Sequence, residues 1–92
     1  MKKKLFDEAV NTTADWLIQT NIKLIENEND ENYSECAIIK LAIDNFIKTT
    51  ADIYQKFYLL NYKVEEIEAE IRKENDYIFK QIKEDRELHL ND

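Results

Sequence analysis

An apolar seam at heptad spacing runs from Ile39 to Ile71 in a chain that contains no glycine and no proline. Its positions are Ile39, Ile43, Phe46, Thr50, Ile53, Phe57, Leu60, Val64, Ile67 and Ile71, in alternating steps of four and three, and only Thr50 is not apolar. Such steps keep one face of a helix apolar and require a partner along its length. Small sheet proteins depend on tight turns built from Gly, Asn-Gly or Pro. Lacking these, the chain is limited to helices with few connections, and the expected fold class is all-α.

Three segments are visible. A first helix is expected over residues 4–25, with Leu5, Phe6, Ala9, Val10, Leu17, Ile18, Leu24 and Ile25 as apolar positions. Thr12, Thr13, Thr20 and Asn21 are poor helix formers, so this helix needs tertiary packing to persist. A polar connector follows over residues 26–34, in which Asn27 or Asn29 can adopt the left-handed conformation that ends a helix. Asn32 with Glu35 resembles a capping box for the next helix. The third segment, 35–88, keeps helical periodicity throughout, although after Ile71 its apolar positions drift to Ile78 and Ile82, as a straight helix drifts against a strict seven-residue repeat. The whole of 1–92 is expected to be a single helical domain.

The lengths of these segments frame the functional question. At about 1.5 Å per residue the first helix spans roughly 33 Å and an unbroken third segment roughly 80 Å. Folded back antiparallel, the first helix reaches only to about residue 57. Leu60, Val64, Ile67, Ile71 and Ile78 are then uncovered, and each large apolar side chain left in water forgoes roughly 1.5–3 kcal/mol. The leading expectation is a helical hairpin: a short first helix and a long heptad-patterned second helix, associating as a coiled-coil or helical-bundle oligomer. The alternative is a compact three-helix bundle with a turn near Asn61. Ile38, Leu41, Ile47, Tyr54, Tyr58, Leu59 and Tyr62 lie off the seam, which marks the middle of the chain as buried by more than one neighbour.

Charge narrows the partners. The net charge is −7, and past the three lysines at 2–4 there are 10 basic and 20 acidic side chains, a net of −10. Such a body repels phosphate backbones, so direct nucleic-acid binding is not expected, and a basic partner is favoured. The single cysteine, Cys36, permits no intrachain disulfide and suits a reducing compartment. No stretch is long and apolar enough for a membrane span. The lysine-rich start is followed by Asp7 and Glu8 where a signal peptide has its apolar region, and the expected location is cytoplasmic. Abundant Lys, Asn, Ile and Glu point to an AT-rich coding source such as a low-GC bacterium or its phage.

Little in the chain suggests catalysis. The candidate partner or oligomer interface is Ile53, Phe57, Leu60, Val64, Ile67, Ile71 and Ile78. Tyr54, Tyr58 and Tyr62, at i, i+4 and i+8, form a candidate recognition stripe, because a tyrosine ring buries large area while its hydroxyl tolerates water. Glu65, Glu66, Glu68 and Glu70 form a candidate acidic patch. Its doublet is mis-spaced for the Glu-Glu-x-x-Glu metal sites of all-helical nucleotide pyrophosphohydrolases, and no matching acidic pair stands out on the first helix. The connector lacks the glycine and offsets of a calcium loop. His89, the only histidine, has no nucleophile beside it in a readable pattern, and Cys36 reads as a small buried thiol. No catalytic, cofactor or metal residues are assigned.

The expected function is therefore a non-enzymatic protein–protein interaction module: a small adaptor, regulator or inhibitor acting by stoichiometric binding. It would bind itself, as a homodimer or higher oligomer, or another protein. The alternative is an acidic nucleic-acid mimic inhibiting a nuclease or DNA-binding protein. A more remote one is a metal-dependent all-α hydrolase. No family motif is recognised. The general plan recurs among phage-encoded inhibitors, antitoxins, small chaperones and secretion-system subunits.

Overall fold

In the computed structural model, which describes the backbone of residues 2–90 and the side chains of residues 11–86, three helices follow one another: α1 (Lys2–Asn29), α2 (Tyr33–Phe57) and α3 (Val64–Leu90). No strand occurs among the described residues. The expected apolar positions Leu5, Phe6, Ala9 and Val10, with His89, lie outside the described side chains.

α1 extends past the expected end at residue 25, and the connector shrinks to 30–32. The extra turn is held from both sides: Arg86 Nη2 donates to Glu26 Oε1 at 3.1 Å, and Asn27 Nδ2 donates to the Lys23 carbonyl at 2.8 Å. The helix then stops through paired backbone bonds, Asn32 N to the Asn27 carbonyl (2.8 Å) and Glu31 N to the Glu28 carbonyl (3.1 Å). These are the two bonds of a Schellman ending. The left-handed residue is Glu31 (φ 57°), not Asn27 or Asn29. Asn32 does precede α2, with its carbonyl accepting from Cys36 N at 3.1 Å, but its side chain makes no capping bond and points to Asn27 Oδ1 at 3.3 Å.

The continuous helix over 35–88 is not observed. The chain leaves the helix after Phe57 and resumes at Val64. The Tyr54 carbonyl accepts from both Tyr58 N (2.9 Å) and Leu59 N (2.8 Å), a turn closes from Tyr62 N to the Leu59 carbonyl (3.0 Å), and the Lys63 carbonyl starts α3 by accepting from Ile67 N (3.2 Å). Asn61 adopts no left-handed conformation. The gain from the break is large. It places Ile67, Ile71 and Ile78 in the core, worth roughly 5–9 kcal/mol in burial. The few helical hydrogen bonds given up are worth about 1 kcal/mol each, and the turn replaces some of them.

Each helix packs against the other two. Thr13 meets Tyr54, and Cys36 Sγ lies 3.9 Å from the Leu24 carbonyl, so α1 and α2 run antiparallel. Asn21 meets Asn75 and Glu26 meets Arg86, so α1 and α3 run parallel. The long dimension, 45 Å, is close to the ~42 Å of a 28-residue helix at about 1.5 Å per residue.

The core joins Leu17 and Leu24 of α1, Cys36, Ile43, Ile47, Ala51 and Tyr54 of α2, and Ile67, Ile71 and Ile78 of α3. Trp16 stacks on Phe46 at its edge, with ring centroids 3.9 Å apart. On α2 the buried row is Ile43, Ile47, Thr50 and Tyr54, which keeps Ile43 and Thr50 of the heptad seam but puts Ile47 and Tyr54 in place of Phe46 and Ile53, and Ile53 and Phe57 face outward. The inward row of α3 is Val64, Ile67, Ile71, Asn75, Ile78 and Ile82. Both rows step at nearly 3.6 residues, as straight helices between two neighbours do. Ile38 and Leu41 are exposed on α2.

Candidate functional site

Of the expected interface residues, the structure separates two groups. Ile67, Ile71 and Ile78 are buried within the chain and Val64 is half-buried, so this part of the seam is covered by the protein's own helices. That corrects its assignment to a second chain. Ile53, Phe57 and Leu60 remain exposed, at 46%, 70% and 70%. They are joined at the corner between α2 and α3 by the exposed rings of Tyr58 and Tyr62.

The tyrosine stripe does not exist as one surface, because the helix that would align it ends at Phe57. Tyr54 is buried, with its hydroxyl hydrogen-bonded to Thr13 Oγ1. Burial raises its phenol above the ordinary value, and the Thr13 bond acts against that rise. Tyr58 meets Tyr54 edge-on, centroids 6.1 Å apart. Tyr62 lies in the turn, where it borders a cleft.

That cleft, about 720 Å³, lies between α1 and α3 at the corner end. Leu17, Tyr54, Ile67 and Ile71 line it, and Leu59 and Tyr62 border it from the turn. Thr13 and Ala14 form the α1 side, where short side chains leave the space open. Glu66, Glu70 and Glu74 line the α3 side, one helical turn apart and all exposed. Further along the bundle the two helices are bridged. Asn21, 1% exposed, donates from Nδ2 to the Leu17 carbonyl (2.8 Å) and to Asn75 Oδ1 (2.7 Å).

The acidic patch is likewise divided. Glu68 turns away from the cleft and accepts from Arg72 Nη2 at 2.8 Å, while the same nitrogen donates to Asp44 Oδ1 at 2.6 Å. Lys48 completes the group, 3.1 Å from Asp44 Oδ2. The Arg72 hydrogen bond, with that of Lys48, holds the Asp44 carboxyl below the usual carboxylate range. Glu68 first, then Asp44, raises the Arg72 guanidinium. This network borders a second hollow of about 470 Å³ and ties α2 to α3. Glu65 is exposed, and Glu70 pairs with the equally exposed Lys73 at 3.3 Å.

Sequence reasoning placed Glu66 and Glu70 in the patch and missed Glu74, which reads as an interruption of the seam. The signal that identifies it is the i, i+4, i+8 row itself. Thr13, Ala14 and Leu59 carry no comparable signal. Among the described residues, no group of three or more His, Cys, Asp and Glu side chains is arranged to hold a metal ion, and no helix is long and apolar enough to cross a membrane. In comparisons with known proteins, no family model, curated protein or solved structure matched this chain.

Proposed function

We propose that the chain is a non-enzymatic protein-interaction module that acts by stoichiometric binding, and that its α2–α3 corner is the contact between two copies. The supporting observation is the exposure of Ile53, Phe57 and Leu60 within eight residues of chain, while Ile67, Ile71 and Ile78 of α3 are inside. Exposed apolar groups gathered at one place mark association surfaces.

Charge favours a second copy at this corner. The molecule carries −7, yet residues 52–63 hold Asp52, Lys56 and Lys63, a local +1. Two copies therefore meet there without the repulsion of the acidic faces, and Asp52 and Lys56, already paired at 3.1 Å, can exchange partners across a two-fold axis. The helical-bundle oligomer is formed in this reading by corner contacts and not by one long paired helix.

Light scattering coupled to size-exclusion chromatography tests it. The wild-type chain should approach twice its 11.1 kDa mass at tens of micromolar. The double variant Phe57→Asp, Leu60→Asp should run as a monomer with unchanged helical circular dichroism. A wild-type monomer at every concentration, or a dimer indifferent to both substitutions, rejects the corner.

A further inference from the structure

The cleft between α1 and α3 adjoins the corner and shares Tyr62 with it, but not Ile53, Phe57 or Leu60, and its chemistry is more particular. Its floor is the buried Ile67 and Ile71, the apolar surface open to an occupant is that of Leu59 and Tyr62, and Glu66, Glu70 and Glu74 stand on its α3 side. Carboxylates at i, i+4 and i+8 repel one another along a helix. Lys73 relieves this little, since it and Glu70 are each about three-quarters exposed at 75% and 74% and are screened by water. No basic side chain lines the cleft among the described residues.

We propose that this cleft receives one amphipathic helix of a different, basic protein, completing the three helices as a four-helix bundle. The occupant would present large aliphatic residues to Leu59 and Tyr62, over the floor of Ile67 and Ile71, and lysines or arginines spaced four residues apart to the three glutamates. The repeat of the row argues for a helix. From Glu66 to Glu74 it extends about 12 Å, a little over two turns, and another helix presents cations at the same interval along one edge. The short Thr13 and Ala14 leave room for its backbone to approach. A second copy of this chain is a poor occupant, because it would bring a body of charge −7 to an acidic rim. This proposal rests on the reading that the protein acts by binding, but uses a surface separate from Phe57 and Leu60.

The test uses the full-length protein and a labelled synthetic 18-residue peptide, acetylated and amidated, with leucines on one face and lysines at i, i+4 and i+8 beside them. Fluorescence anisotropy should give a 1:1 complex, and the peptide should gain helicity on binding. Affinity should fall at least tenfold for the variant E66Q/E70Q/E74Q, for a peptide with glutamate in place of lysine, and in about 0.5 M salt. Ala14→Trp should block binding by filling the cleft. If that variant loses helical signal, the glutamine variant, altered only at exposed positions, still decides. Equal binding of the lysine and glutamate peptides, or retention of affinity by a peptide with a central proline, overturns the proposal, as does the absence of a complex. The variant Phe57→Asp, Leu60→Asp should bind the lysine peptide normally; loss of binding there also rejects the cleft. A wild-type monomer that binds the peptide rejects the corner alone.

Discussion

Asn21 shows how a single polar side chain is accommodated in a small core. It is almost completely buried, and its amide nitrogen serves both its own helix and Asn75 on α3. Among the described residues no buried side-chain nitrogen or oxygen lacks a partner. Replacing Asn21 by alanine leaves the Asn75 amide half-buried without this partner, a loss of about 1–3 kcal/mol. Urea unfolding should show that loss. Asn75→Ala added to Asn21→Ala should then add much less than it removes alone, as coupled residues do. The position was partly legible in the sequence: Leu17, Asn21 and Leu24 are spaced four and three apart. The residue type argued against it, since asparagine reads as a poor helix former, and the half-buried Thr20 beside it fits the heptad equally well. What makes Asn21 a core residue is Asn75, 54 positions away, and no local pattern contains that information.

At the level of elements, the helices were more legible than their ends. Period and composition indicated α-helix over most of α1, α2 and α3, but read residues 26–29 and 33–34 as connector. The break after Phe57 was not marked, because the turn uses no glycine, no proline and no left-handed residue. The seam passes through it in register, so local pattern favoured continuity, whereas burial of α3 on the other two helices favours the turn by several kcal/mol. The seam also misplaced part of the inward face of α2, marking Phe46 and Ile53 where Ile47 and Tyr54 are buried, while Ile43 and Thr50 kept their place. The turn between α1 and α2 is different, because there one residue bears a conformational cost. Glu31 sits at φ 57°, a region that penalises any side chain with a Cβ. Glu31→Gly should therefore raise stability by about 0.5–1 kcal/mol, measurable as a higher urea midpoint at unchanged slope. A decrease would mean that the Glu31 side chain contributes more than its backbone loses.

For the molecule as a whole, the sequence conveyed an acidic, helical chain, but not where its surfaces lie. The acidic run was visible as composition. Its division into Glu68, held by Arg72, and the row Glu66, Glu70 and Glu74 appears only once α3 is set against α2 and α1. The cleft arises from α1 and α3 side chains more than fifty residues apart, and the corner from a turn the pattern concealed. The seam that first called for a second chain is largely satisfied inside one. Its exposed members, Ile53, Phe57 and Leu60, lie toward the end of the bundle where α2 meets α3.

Because both turns are made without proline, no peptide bond in the chain has an appreciable population of the slow cis isomer in the unfolded state. Refolding from urea, followed through the indole of Trp16 as it stacks on Phe46, should therefore lack the phase of tens to hundreds of seconds that prolyl isomerisation imposes. Helical topologies of this size collapse and pack within microseconds to milliseconds. A slow step whose rate rises with protein concentration would report the meeting of two molecules. Time alone would then separate folding of the chain from its assembly.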